Sequence, residues 1–244
     1  MIDESPTRAD FEAARELLRR DILSGVLKPD SKLKIRELTA RYGISASPMR
    51  EALSRLAATG MVQQQAQRGF RVPPVSTEDL LDITVSRQII EAEAVKLAIE
   101  HGGSSWEDEI VASYCVFERE VVRFYAASER DLETYEAQHH RFHKALIAAC
   151  PLQALKKFCD ELYVRATRYR RLTRSYGFKK DPVIAEHRLL MEAVLERKPA
   201  RAKEALRSHI GLTADLMLTM LENRNEGRER RADFFELRNR ERMK

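Results

Sequence analysis

From Ser76 to Glu222 the chain carries one kind of hydrophobic pattern, apolar residues recurring every three to four positions in long runs. This periodicity predicts helices over 76–101, 106–127, 129–149, 151–174, 181–197 and 199–222. Gly102-Gly103, Pro151, Gly177 and Pro182 separate the runs, and Pro199 stands where a helix would start. Long amphipathic helices with short connections can bury their apolar stripes only against one another. An all-α bundle is therefore expected.

The residues before Ser76 read differently. A helix is expected over 8–24, with Phe11, Leu18 and Ile22 on one face, stopping at Gly25. LKPDSKL turns into a second helix at 34–42, which ends at Gly43, and SASP opens a third at 47–58, closed by Gly60. MVQQQAQRGFRV then reads as two short strands around a turn at Arg68-Gly69, and Pro73-Pro74 marks a boundary. Helix, helix, turn, helix and a two-stranded wing make a winged helix-turn-helix. The chain is thus expected to be mainly α, with domains at 1–75 and 76–223 and a charged tail at 224–244.

The net charge of +5 is small, but its placement is informative. Residues 34–71 carry seven lysines and arginines against two acids, and the tail carries eight against five. A basic window on a helix-turn-helix suggests double-stranded DNA as a partner. No window approaches the ~18 consecutive apolar residues of a membrane span, and the acidic N-terminus has no signal-peptide core. Cys115, Cys150 and Cys159 are widely spaced and form no CxxC, which suits reduced packing residues. A cytoplasmic protein with no membrane partner is expected.

Within YGISASPMREALSRLAATGMV each part has a physical use. Gly43 permits the tight turn, Ser45 or Ser47 can cap the third helix, and Pro48 sits in its first turn, where a missing N–H costs little. That helix end offers backbone donors and a dipole to a phosphate, and Arg50 can reach a base edge or phosphate. Its alternative is a surface salt bridge, with Glu37 one candidate partner. Leu53, Leu56 and Ala57 face the domain core, and Arg36 opens the second helix, where a phosphate contact is natural.

The chain has six histidines, three of them in HHRFH at 139–143. Helical spacing puts His139 and His143 on one stripe with Leu132, Tyr135, Phe142 and Leu146. His140 falls with Glu136 and Lys144 on a charged, solvated face. His187 shares a stripe with Val183, Leu190 and Val194, and His209 lies with Leu206, Leu212 and Leu216. A single inward histidine is usually a satisfied core residue. Four need four sets of partners, and convergence on one divalent metal would supply them; imidazole suits zinc, nickel, iron or copper. Spacing alone does not bring the three helices together.

SPMREALSRLAATGMV, RGFRV and the preceding LRRDILSGVLKPDSKL resemble the GntR family of bacterial transcription regulators over about 65 residues. The resemblance implies DNA contacts from Arg36, Ser45, Ser47, Arg50, Arg68 and Gly69. Two departures stand out: Ala46 replaces a frequent arginine, implying a different operator preference, and Asp30 replaces a frequent turn glycine. The helical region resembles the FCD ligand-binding domain of the FadR-type branch, which implies a bundle of six to seven helices; many members hold a metal in it through an acidic residue and three histidines. Phe142-His143, His187 in EHRLL and His209 in LRSHI match that motif, and His139 occupies the acidic position. The pattern looks nearest to the carbon-starvation-induced regulators of the branch.

A metal held by His139, His143, His187 and His209 is therefore expected, zinc first, with nickel, iron and manganese the alternatives. Four neutral ligands leave the site at about +2, one charge more than the acidic version, which favours an anionic guest. Arg87 lies on the apolar stripe of Ile83, Ile90, Ala94 and Leu97, an expensive place for a charge without an anion. It is the candidate to take a carboxylate end of the effector, unless Glu91 one turn on neutralises it. Arg168 and Tyr169, with Arg165, are further effector candidates. The expected function is a homodimeric repressor reading an inverted-repeat operator and released by a small carboxylate, a dicarboxylate in particular. A metal-responsive regulator is the alternative reading. A metal-dependent enzyme is more remote: Glu136-x-x-His139 has no counterpart near His187 or His209, and a di-iron bundle needs paired Glu-x-x-His motifs.

Overall fold

The computed structural model describes the backbone of residues 8–65, 68–173 and 179–242 and the side chains of 8–65, 68–172 and 179–222. The element order is α1 (Arg8–Leu23), β1 (Lys32–Leu33), α2 (Ile35–Tyr42), α3 (Ala46–Ala58), β2 (Gln63–Gln65), β3 (Gly69–Arg71), α4 (Thr77–His101), α5 (Ser104–Ala126), α6 (Leu132–Leu146), α7 (Gln153–Thr173), α8 (Lys180–Leu195) and α9 (Pro199–Arg242). Predicted helix ends mostly fall within two or three residues of these. The main difference is α9, whose backbone continues through the charged tail to Arg242. No described helix is long and apolar enough to cross a membrane.

The chain divides into two compact units. One comprises residues 1–79 with 163–172, and the other 80–162 with 173–244. The break near Pro73-Pro74 is therefore accompanied by a second crossing inside α7, a continuous helix whose periodicity carries no mark of it.

In the first unit Ala14, Leu18, Ile22 and Leu23 of α1 pack with Met49, Ala52, Leu53 and Leu56 of α3, and Phe70 closes the core from the wing. Gly43, at φ 67°, takes the left-handed conformation that ends α2 and turns the chain toward α3. The wing has one strand more than expected. β3 lies between β1 and β2, antiparallel to both, with Leu33 and Gln64 each opposite Phe70. A two-residue strand is too short for alternation to show in sequence. Asp30, which stands where glycine is frequent, adopts φ 64° and accepts from the Arg71 guanidinium through both its carboxylate and its carbonyl oxygen. Aspartate tolerates this conformation better than most residues, and here its side chain also braces β3.

In the second unit α5 runs through the core, with Ile110, Tyr114, Phe117, Val121 and Phe124 buried against α6 and α8. A Cβ on Gly102 would lie 2.1 Å from the Trp106 ring. The glycine thus admits the indole, whose Nε1–H donates to the Ala145 carbonyl at 2.8 Å and ties α5 to the end of α6. Cys150 and Cys159 are buried packing thiols as expected, but Cys115 is exposed. Burial, followed by the charge of Glu91, pushes the Cys159 thiol up to about 12.

Candidate functional site

The site is built from three helices. Asp131 caps α6, its carboxylate accepting from the Thr134 amide at 3.0 Å, and these Thr134 bonds hold its pKa below the ordinary value. This start sets the phase that turns Tyr135, His139, Phe142, His143 and Leu146 inward. α8 buries His187 with Val183, Leu190 and Val194. α9 buries His209 with Leu206, as expected, but Leu212 and Leu216 are exposed; the inward residues beyond His209 are Ile210, Ala214, Met217 and Leu221. The periodicity was compatible with either apolar arc of α9 facing in.

The four histidines converge. Ring centroids are 4.6 Å apart for His139 and His143, 4.9 Å for His139 and His187, 5.2 Å for His143 and His209, and 4.5 Å for His187 and His209. One nitrogen from each lies within 4.8 Å of the others, and all four residues are buried. Nitrogens about 2.1 Å from a common ion stand about 3.4 Å apart in a tetrahedron and at most about 4.2 Å across an octahedron. Small side-chain rotations would bring the set onto one ion.

The surroundings fit a metal too. His187 Nδ1 lies 2.6 Å from the Val183 carbonyl oxygen, which fixes the proton on Nδ1 and directs the Nε2 lone pair to the cluster. The Glu186 carboxylate is 3.5 Å from His209 Nδ1, a carboxylate behind a histidine ligand. Burial raises the pKa of Glu186, an effect the nearby His187 opposes. Phe117 closes one side, 5.2 Å from the His139 ring and 4.7 Å from that of His187. An all-imidazole set suits a transition metal and not calcium or magnesium, which prefer oxygen. His140 is outside the cluster. It is not merely solvated, because its Nε2 bonds the Asp160 carboxylate at 2.7 Å.

The expected effector residues all have partners within the chain. Arg87 is buried but is half of an internal pair, donating to Glu91 at 2.6 and 3.3 Å, with side-chain exposures of 5% and 7%. This is the internal pairing with Glu91 that the sequence offered as the alternative. Arg168 and Tyr169 group with the first unit, not with the histidines. Arg168 donates to the carbonyls of Pro73 and Pro74 at 3.2 and 2.9 Å, and Tyr169 donates to Asp79 at 2.6 Å. Arg165 reaches the other Asp79 oxygen at 2.8 Å. These bonds hold the segment between the wing and α4, a role that sequence separations of more than 80 residues conceal.

All six expected DNA-contacting residues, Arg36, Ser45, Ser47, Arg50, Arg68 and Gly69, are exposed on the first unit. Ser45 is the N-cap of α3 by position, but its side chain makes no capping bond. Arg50 has no ion pair among the described residues, and Glu37 is taken by Lys34 at 2.7 Å. Arg55 is a further exposed arginine of α3.

A winged helix-turn-helix with an exposed arginine on its third helix, joined to a helical bundle holding a histidine cluster, fits a DNA-binding regulator. Residues 11–72 match the bacterial regulatory proteins of the gntR family, and residues 82–212 match the FCD domain. The chain belongs to the GntR family, in its FCD-containing, FadR-type branch. It is 37% identical over 203 residues to the HTH-type transcriptional regulator BphR of Paraburkholderia xenovorans (strain LB400), covering 83% of each chain. It is also 37% identical over 198 residues to the HTH-type transcriptional repressor GlaR of Escherichia coli (strain K12), covering 79% of this chain and 89% of that one. Among solved structures, E. coli McbR/YncC shares the fold with a TM-score of 0.72 at 20% identity, over 88% of this chain and 100% of that one. The protein is a DNA-binding transcription regulator and not an enzyme.

Proposed function

We propose that this protein is a cytoplasmic, homodimeric repressor that binds an inverted-repeat operator and releases it when a small carboxylate binds at a divalent metal in the second unit. The observation that carries this reading is the convergence of His139, His143, His187 and His209, all buried, on one small volume. The repressor sense is supported by the 37% identity to GlaR, which is named a repressor. A bound divalent ion would supply about two positive charges and open coordination positions to a carboxylate. The four imidazoles contribute no charge to offset it, Val183 orients His187, and Phe117 excludes water from one side. With Arg87 neutralised by Glu91, the metal is the principal anion attractor. A short monocarboxylate therefore suits the site as well as the dicarboxylate expected from sequence. Zinc is the first ion to test, then nickel, iron and manganese.

On the DNA side, the α3 N-terminus with Ser45, Ser47 and Arg50 enters the major groove. Arg36 and the wing residues Arg68 and Gly69 contact the backbone. Release follows if the carboxylate binds more tightly to an arrangement that holds DNA less well.

The test is a fluorescence-anisotropy titration onto the upstream promoter DNA at fixed salt, with and without mono- and dicarboxylates. Specific binding weakened by one acid, and only while metal is present, supports the reading. Binding that ignores every acid but changes with a chelator points to a metal sensor built on the same four histidines. An absence of specific binding under all conditions overturns the repressor.

A further inference from the structure

A small cavity lies within the first unit, between the loop after α3, strand β2 and the last turns of α7. It holds about 210 Å³, and Met61, Gln63, Pro73, Asp79, Arg165 and Arg168 line it with Gly60. All of these residues belong to the first unit. The volume is below the ~300–1,000 Å³ of sites for drug-sized ligands, so a guest must be small.

Two guanidiniums share one carboxylate in this cavity. Arg165 Nη2 donates to Asp79 at 2.8 Å, whereas Arg168 Nη2 stands 3.7 Å from the other Asp79 oxygen, beyond hydrogen-bond reach. That oxygen accepts from the Tyr169 hydroxyl at 2.6 Å. Among the described residues Asp79 is the one acid within 4.0 Å of either arginine. The cluster therefore carries a surplus positive charge, with the Arg168 side chain only 5% exposed, and a buried charge lacking a counter-ion is costly. Arg168 gives two N–H groups to the carbonyls of Pro73 and Pro74, and Arg165 gives one to Asp79. A guanidinium has five such donors, so most of both forks stays uncommitted. Gln63 adds a side-chain amide from β2.

The forks are also held in place. Arg165 lies against Gly60, where a Cβ would come 3.3 Å from its Cδ, and the φ of 74° there favours glycine. Arg168 lies over the Tyr169 ring, 5.2 Å from its centroid. Met61 and Pro73 are buried and give apolar walls, which strengthen any charge interaction inside.

We propose that this cavity binds one small oxyanion, a short monocarboxylate or inorganic phosphate, between Arg165 and Arg168 with Gln63 beside it. Guanidinium forks match the paired oxygens of both ions. No histidine lines the cavity and no metal is needed, so the site is independent of the centre proposed in the second unit.

Titration calorimetry of the chelator-treated full chain tests it, with sodium phosphate and with acetate separately, at fixed ionic strength. Saturable binding of one ion per chain is expected, and whichever ion binds identifies the source. Arg165→Gln should weaken that binding about tenfold or more. Asp79→Asn should strengthen it, because a competing carboxylate leaves the same forks; a merely structural cluster would not respond in opposite directions. Circular dichroism confirms the fold of each variant. If Arg165→Gln is unfolded, Gln63→Ala takes its place, with a weakening of about threefold expected. Failure of both ions to bind overturns the site, as does binding that the folded variant leaves unchanged. Weaker binding in Asp79→Asn overturns the assignment of the two arginines to the guest.

Discussion

The ring of His143 stacks on that of His209, centroids 5.2 Å apart at an interplanar angle of 28°, and joins α6 to α9. An ion bound there would cross-link three helices whose histidines are far apart in sequence. Binding to the folded chain alone stabilises it by about 2.7 kcal/mol at one hundred times the dissociation constant. For a chain of this size that corresponds to a rise in Tm of about 5–10 °C. Zinc should therefore raise the melting temperature of chelator-treated wild type by that order. His143→Ala and His209→Ala should melt identically with and without the ion. Differential scanning fluorimetry with matched metal analysis reads both, and a wild type indifferent to zinc, nickel, iron and manganese would rule the centre out.

Arg50 and Arg36 should fail in different ways. Arg50 is exposed one turn into α3 and free of internal ion pairs among the described residues, and in the proposed docking its truncation would remove a contact at the base edges. Arg50→Ala should weaken operator binding by about 1–3 kcal/mol and affect random DNA less. Arg36→Ala, at the backbone, should weaken both DNAs alike and reduce the salt slope by about one. Anisotropy at several salt concentrations distinguishes the two, and equal losses on both DNAs for Arg50→Ala would move that residue to the phosphates.

The winged unit and the helical region were legible in sequence because each element there is signalled locally: Gly43 in its turn, Pro48 in the first turn of α3, and a 3.6-residue stripe along each long helix. What escaped was settled by tertiary context. β1 has two residues and exists only because β3 pairs with it on one side. The last part of α7 joins the first unit, where Arg168 and Tyr169 bond Pro73, Pro74 and Asp79. Along α9 two apolar arcs exist, and only packing against the neighbouring helices decides that Leu206 faces in while Leu212 and Leu216 face out. Spacing showed the histidine set as four inward residues on three stripes and the FCD resemblance implied their meeting, which the structure shows.

The Arg87–Glu91 pair is buried on both sides, so removing one partner should cost much more than removing both. Arg87→Met leaves the Glu91 carboxylate in the interior and should destabilise the protein by about 3–5 kcal/mol. Arg87→Met/Glu91→Met should recover most of that, since well-packed apolar pairs often replace buried ion pairs at no net cost. Urea denaturation measures the cycle. The double variant also decides the role of Arg87 in regulation. If its carboxylate response on promoter DNA is that of wild type, the arginine serves packing; if the response is lost while metal content and stability are kept, Arg87 touches the effector after all.

The bond between His140 and Asp160 gives the second unit a pH dependence of defined sign. The His140 hydrogen bond holds the Asp160 carboxyl below its ordinary pKa, and partial burial opposes it with a smaller effect. A carboxyl whose pKa is lower in the folded than in the unfolded chain contributes stability that is complete above the unfolded value, about 3.9, and is lost as pH falls through the folded value. Wild type should therefore exceed Asp160→Asn in stability above about pH 5, and the margin should close toward about pH 3. The Asp160 side chain is 44% exposed, so the margin is small and should shrink with added salt. Paired urea melts across this range test it. A margin that widens on acidification would show that the folded state holds Asp160 above its ordinary pKa, with burial outweighing His140.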